Sequence, residues 1–244
     1  MTKKNSNERQ QKFSGTKPVQ SHLKFDSNRL ADWLSKTLNR NVNIEEVAEF
    51  KGGQSNPTYK VRTSGETFVL RRKPPGKLLP SAHAVDREFR VIDALYRSDF
   101  PVPRSVAYCS DNSVLGTEFY LMDFIDGKIF WNIALPELTP KIRGKIFDSK
   151  ISTLAKLQNI DYKKAGLETF GKTSDYMARQ IHRWSKIYKA SETSKIISMD
   201  RLIEWLPKNI PNNEETCIIH GDYRLDNMVF DPKTSEVKAV LDWE

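Results

Sequence analysis

The hydrophobic period of this chain changes once, near Asp126 and Gly127, and that change limits the possible folds more than any other feature. Before it, residues 42–50, 58–63 and 67–72 alternate apolar and polar side chains, with Gly52-Gly53 and Ser64-Gly65 between them, the pattern of an antiparallel meander. A helix over 84–97 places Val85, Phe89, Ile92 and Leu95 on one face, and residues 106–108 and 118–124 read as two further strands. Five strands with one inserted helix make a first lobe over residues 23–126. Beyond Gly127 the spacing becomes helical, over about 142–158, 174–189 and 199–207, so residues 127–244 form a second, mainly helical lobe. The fold class expected is α+β, in two lobes that share a cleft.

The ends of this pattern are polar. Residues 1–22 are rich in Lys, Asn and Gln and are expected to be a disordered tail. Structure is expected to begin at Asp26 and Ser27, plausible N-caps for a helix through Leu30, Trp33, Leu34 and Leu38 that stops at 39–41. The second lobe finishes with short β-type runs at 216–219, 227–230 and 237–241, the last two joined by a polar turn at 231–235. Polar residues gather between and at the ends of these runs, where loops on a rigid scaffold commonly carry chemistry.

Charge and cysteine usage narrow the partners. The net charge of +8, from 39 basic and 31 acidic residues, suits nucleic acid, an anionic membrane or an anionic small ligand. No interleaved aromatic and basic repeat and no zinc-knuckle spacing is visible, so the expectation is a phosphate-bearing ligand and no nucleic acid. No apolar stretch is long enough to span a bilayer, and the basic start lacks the apolar run of a signal peptide. Cys109 and Cys217 are far apart in apolar stretches and are expected to be buried thiols. The expected compartment is intracellular, cytoplasmic by default, with mitochondria or peroxisomes left open. Oligomeric state is not encoded in any feature found.

The sharpest chemical signal is His220-Gly221-Asp222-Tyr223-Arg224-Leu225-Asp226-Asn227, followed fifteen residues later by Asp242 in Leu241-Asp242-Trp243-Glu244. Transfer of a γ-phosphoryl group needs a carboxylate that positions the attacking hydroxyl and accepts its proton, and oxygen ligands that hold magnesium on the phosphates. Asp222 suits the first task. Asn227 stands five residues on, the spacing of a protein-kinase catalytic loop, and Asp242 lies where the next hairpin returns a metal-binding Asp. Arg224 would neutralise charge on the transferred phosphate, and His220 would orient the loop through a hydrogen bond. The bland alternative is that Asp222 and Asn227 cap a turn and Asp242 ends a strand.

The first lobe supplies candidate nucleotide contacts. Gly52 and Gly53 would let backbone N–H groups approach phosphate, with Ser55 beside them, although an ordinary hairpin turn explains the same residues. Arg71 occupies the place of the kinase strand lysine and would meet the α and β phosphates, paired with Glu88 on the following helix. The alternative for Arg71 is a surface position on a basic edge strand beside Arg72 and Lys73. Residues 121–127 would be a hinge whose backbone, at Asp123 and Ile125, bonds adenine.

At these residues the chain resembles the aminoglycoside phosphotransferase and choline kinase group, over about 47–244. Gly52-Gly53-Gln54-Ser55-Asn56, Arg71-Arg72-Lys73-Pro74-Pro75-Gly76, Asp86-Arg87-Glu88-Phe89 and Arg179-Gln180 with Arg183-Trp184 look most like the branch fused to acyl-CoA dehydrogenases. The resemblance implies a protein-kinase-like two-lobed fold, ATP and Mg2+ as cofactors, and a small hydroxylated substrate, a hydroxy acid or hydroxyacyl-CoA before an antibiotic. Members of the group continue past the Asp-Trp-Glu motif, whereas this chain stops at Glu244, so exposed apolar surface, marginal solubility and little turnover are expected of it. The rival readings are a pseudokinase-like module that binds nucleotide or a partner without catalysis, and a basic nucleic-acid-binding protein.

Overall fold

Side chains that alternate in the sequence lie on alternate faces of one sheet in a computed structural model of the chain, which describes residues 3–52, 56–76, 83–212 and 215–243. In chain order the first lobe comprises α1 (Lys3–Phe13), β1 (Thr16–Lys17), α2 (Ser27–Leu38), β2 (Ile44–Phe50), β3 (Thr58–Thr63), β4 (Thr67–Arg72), α3 (Val85–Arg97), β5 (Ser105–Cys109), the short α4 (Asn112–Leu115) and β6 (Phe119–Asp123). The strands pair antiparallel in the order β1-β2-β3-β4-β6-β5. Asp26 caps α2 as expected, accepting from the backbone N–H groups of Asn28 and Arg29, and Asn39 ends it in the left-handed region.

The sheet has six strands rather than five, because the polar N-terminus is not the disordered tail expected. Thr16 and Lys17 pair with Phe50 and Glu49, and Lys51 N donates to Gly15 O at 3.1 Å. Glu49 is buried and accepts from the backbone and side chain of Gln20 at 3.1 and 2.8 Å and from Lys17 Nζ at 3.0 Å. Burial pushes its carboxyl up, but these donors outweigh burial and hold it below the ordinary carboxylate value. The segment is ordered by partners some thirty residues downstream, which its own composition does not reveal.

The second lobe contains α5 (Pro140–Gln158), α6 (Tyr176–Ser191), α7 (Ile197–Trp205) and a hairpin of β7 (Met228–Phe230) and β8 (Val237–Val240). The β-type run at 216–219 forms no strand, and Cys217 is half-buried where Cys109 is buried. Trp184, Ile197 and Trp205 on α6 and α7 are exposed. One core lies between the sheet and α2, through Leu30, Leu34, Tyr59, Phe68 and Phe119. The other runs from Leu95, Tyr120 and Met122 in the first lobe to Leu225, Phe230 and Trp243 in the second. Each such large side chain stabilises by about 1.5–3 kcal/mol when fully buried, so this second cluster fixes the catalytic-loop candidate against the sheet.

Candidate active site

The loop that leads into β7 holds the sharp motif through local hydrogen bonds. Leu225–Asn227 is a single 3-10 turn leading into β7. Asn227 Nδ2 donates to the Asp222 carbonyl at 3.0 Å and to Asp222 Oδ2 at 3.1 Å, which leaves Asn227 Oδ1 as its acceptor for another group. Arg224 Nε bonds Asp222 Oδ1 at 3.0 Å, and its Nη2 lies 3.4 Å from Asp226 Oδ2. Leu241 N donates to Asn227 O at 2.8 Å, so the loop of Asp222 and the turn of Asp242 are joined through backbone.

His220 orients this loop. Its Nε2 meets Leu241 O at 2.8 Å and its Nδ1 accepts from Asp222 N at 3.2 Å. A carbonyl on one nitrogen and an N–H on the other define a neutral ring protonated at Nε2. Burial pushes the imidazole below its ordinary value, against the carbonyl contact and the nearby carboxylates, in keeping with that tautomer.

β4 is an interior strand, paired on both sides with β3 and β6, so Arg71 is not on an edge. Arg71 and Arg72 are both buried and point to opposite faces. On the cleft face, Arg71 Nη1 meets Glu88 Oε1 at 2.9 Å and Nη2 meets Asp242 Oδ1 at 2.9 Å. On the other face, Arg72 donates to Tyr59 Oη at 3.1 Å and to the carbonyls of Leu115 and Leu23 at 3.2 and 2.8 Å. Glu88 Oε1 also accepts from Trp243 N at 3.3 Å, and Asp242 between these contacts has φ +67°. A non-glycine residue in the left-handed region is uncommon and persists where surrounding contacts hold it.

A cavity of about 410 Å³ lies beneath the sheet, within the range of small-molecule sites. Gly52, Arg71, Asp123, Ile125, Asn227 and Asp242 line it, so six sequence-predicted residues share one space. Glu88 stands behind Arg71, and Asp222 and Arg224 lie outside the lining, linked to it through Asn227. Gly53 and Ser55 lie outside the described residues. Apolar groups that the sequence reading did not single out complete the walls, among them Phe50, Val69, Met122, Phe124, Val229 and Leu241. The alternation of their strands could have placed several of them on the cleft face.

Side-chain and backbone bonds hold the hinge segment in place. Arg104 engages the Asp123 carboxylate through Nε and Nη2 at 2.8 and 3.0 Å, and the Phe124 N–H is taken by Thr67 O at 3.1 Å. The Ile125 N–H has no hydrogen-bond partner among the described residues. Lys128 and Phe230 exchange backbone bonds of 2.8 and 2.9 Å, fastening the hinge to β7. A side chain at Gly127 would place its Cβ 2.5 Å from Val229 Cγ1 and 2.6 Å from Phe230 O, so only glycine permits that approach.

The chain is similar in sequence and fold to known proteins. Human acyl-CoA dehydrogenase family member 11 is 45% identical over 227 residues, covering 91% of this chain and 29% of that protein. The chain spans less than a third of the curated relatives it matches first. A solved protein from Ralstonia eutropha JMP134, named as a candidate aminoglycoside phosphotransferase, superposes with a TM-score of 0.81 at 43% identity, over 90% of this chain and 65% of that one. The ternary complex of APH(2″)-IIa with streptomycin and ATP shares the fold, with a TM-score of 0.59 at 18% identity over 90% of this chain and 71% of that one. The family model described as the phosphotransferase enzyme family matches residues 46–244 and takes in the hinge, Arg71 and the whole Asp222–Asp242 motif. Motif, two-lobed kinase-like fold and relatives agree: this chain belongs to the phosphotransferase enzyme family.

Proposed function

We propose that the chain transfers the γ-phosphoryl group of ATP to a hydroxyl of a small molecule, with Asp222 as the carboxylate that orients that hydroxyl. The observation that carries this reading is one continuous chain of bonded residues that starts beside the cavity, runs along its wall and ends behind it. It runs from Asp222 to Asn227, through Leu241 N to the Asp242 turn, and on to Arg71 and Glu88.

Each part has a defined task. The apolar walls and the Ile125 N–H suit a purine, whose edge the hinge backbone would bond, while the space a side chain at Gly52 would need is taken by the Trp131 ring. Arg71 presents a guanidinium to the α and β phosphates, a planar fork that suits phosphate oxygens. Asn227 Oδ1 and Asp242 would hold Mg2+, whose charge on the phosphates eases transfer. The donor set fits that ion, because magnesium is commonly held by one or two protein oxygens with phosphate and water completing the shell. No cluster of three His, Cys, Asp or Glu residues able to form an all-protein metal cage occurs among the described residues.

In the proposed step, the acceptor hydroxyl loses its proton to the Asp222 carboxylate as its oxygen bonds the γ-phosphorus. The bond from that phosphorus to the β–γ bridging oxygen breaks, and ADP leaves. Asn227 and Arg224 hold the two carboxylate oxygens of Asp222 in place, so orientation, more than raw basicity, is what the site supplies. Arg224 is also a half-exposed cation beside the developing charge. The likeness to acyl-CoA dehydrogenase family member 11 supports a hydroxy acid or hydroxyacyl-CoA as acceptor.

The test is ATP consumption over a panel of hydroxy acids, their CoA esters, choline-like alcohols and aminoglycosides, with Asp222→Asn as comparator. One acceptor class should be phosphorylated, and the variant should lose roughly 10²- to 10⁴-fold in turnover, the scale of a positioned acid or base. Absence of transfer across the panel, or equal turnover of both proteins, rejects the reading.

A further inference from the structure

We infer that residues 8–20 form a latch across the open edge of the nucleotide cavity and that nucleotide enters and leaves as the latch undocks. The inference rests on the nucleotide site proposed above. This segment touches both rims of the cavity. On the sheet side, Gly15 O accepts from Lys51 N at 3.1 Å and Thr16-Lys17 pair with Phe50-Glu49. On the hinge side, Gln10 Nε2 donates to Ile129 O at 2.8 Å while its Oε1 accepts from Trp131 N at 3.1 Å. The Phe13 and Trp131 rings lie 5.2 Å apart, and a Cβ at Gly52 would sit 2.4 Å from the Trp131 ring. Trp131 is thus wedged between the glycine turn and the latch, and Gln10, Phe13, Ser14 and Gly15 form part of the cavity wall.

Two properties make the closure reversible. Over residues 8–13 the latch has one large apolar side chain, Phe13, and so little apolar surface to bury against the hinge. Among the described residues its hold there is the amide pair of Gln10 and the ring contact of Phe13, each of a kind that contributes about 1 kcal/mol. By contrast, the stretch after Gly15 is fixed by the strand pairing and by buried Glu49. Gly15 itself has φ +78° with open space around it, a natural pivot between the tethered and detachable parts. An opening equilibrium of a few kcal/mol leaves about 0.1–10% of molecules open, enough to gate exchange.

A gate that does not grip the ligand raises entry and exit rates together when it is weakened. Stopped-flow tryptophan fluorescence with MgATP on wild type, Gln10→Ala and Phe13→Ala should show association and dissociation rates both rising roughly five- to ten-fold, with Kd within about two-fold, since about 1.4 kcal/mol of lost docking is a factor of ten. Unchanged rates overturn the latch and leave the nucleotide site standing, and so does faster dissociation alone, which describes a wall that grips the ligand. No MgATP response in any of the three proteins overturns the latch and the nucleotide site together. Amide exchange on the unmodified protein is independent of variant folding. The N–H group of Trp131, bonded to Gln10 in the detachable part of the latch, should exchange at least ten-fold faster than those of Lys128 and Phe230; equal protection overturns the latch.

Discussion

Arg71 and Asp242 are 171 residues apart in the chain, and their side chains meet at 2.9 Å. The same guanidinium holds Glu88, whose Oε1 also receives the Trp243 N–H. One buried ion-paired group therefore fixes the strand of Arg71, the helix of Glu88 and the left-handed turn of Asp242 against each other. It keeps the Arg71 cation and the Asp242 carboxylate neutralised by each other, so on the proposed reading, with Arg71 on phosphate and Asp242 on metal, nucleotide binding is an exchange of partners rather than the filling of a charged void.

This cluster predicts strong coupling. Glu88 is 1% exposed, and Arg71→Met would leave it charged without its guanidinium, a change that costs roughly 3–5 kcal/mol in buried pairs. Removing both charges in Arg71→Met/Glu88→Leu should restore part of that loss, because replacing a whole buried pair by apolar groups is often near neutral. Denaturant unfolding of the two singles and the double checks it. Additive losses would show that the pair is not energetically coupled.

His220 predicts an acid-sensitive fold. Its ordinary value is about 6.5, and burial lowers it in the folded protein. Below about pH 6.5 the unfolded chain then binds the proton more readily than the folded one, so stability falls as pH drops through that value toward the lower folded one, by at most about 1.4 kcal/mol per pH unit for one site. His220→Gln, which keeps a donor for Leu241 O, should flatten this slope. Unfolding free energies at pH 7.5 and 5.5 decide the matter, and parallel profiles for both proteins would rule out His220 as the source.

How far the sequence discloses this molecule depends on where each residue finds its partners. Residues 58–63 and 67–72 match β3 and β4 to the residue, because alternation is local and both strands have one cleft-facing side. Asp222, Asn227 and Asp242 were legible through spacing, since a short hairpin converts sequence distance into geometry. The N-terminal segment was not, because Lys3–Phe13 has a polar composition and the stretch it opens is ordered by Glu49, Lys51, Ile129 and Trp131. The tightness at Gly127 was equally hidden. Its cause is Phe230, a residue that only the tertiary fold brings near.

Two glycines should respond to alanine with opposite signs. At Gly127 the new Cβ meets Phe230 O at 2.6 Å, a backbone atom held in a two-way bond with Lys128. Forcing atoms into such a site costs roughly 1–3 kcal/mol. Gly144 lies inside α5, and an alanine methyl there would meet no atom within 4 Å. That substitution should instead gain about 0.5–1 kcal/mol, the helical preference of Ala over Gly. Thermal unfolding of the two variants separates strain from propensity, and a stabilised Gly127→Ala would disprove the close approach.

Adjacent arginines give the clearest separation of ligand binding from stability. Arg72 is 3% exposed and supplies donors to Tyr59 Oη, Leu115 O and Leu23 O on the face away from the cavity. Arg72→Met takes the donor from Leu115 O, at about 1–3 kcal/mol for an acceptor left unpaired, whereas Leu23 O keeps its bond from the Tyr59 hydroxyl; the variant should lower the melting temperature while MgATP affinity stays within about three-fold. Arg71→Met removes a cation from the cavity wall itself. A hydrogen bond to a charged group contributes about 1.5–3 kcal/mol, so MgATP affinity should fall by about ten-fold or more. Calorimetric titration well below both melting temperatures measures the two affinities on folded protein. If Arg72→Met weakened MgATP as much as Arg71→Met, the opposite faces of β4 would not divide these tasks, and the assignment of Arg71 to the phosphates would lose its support.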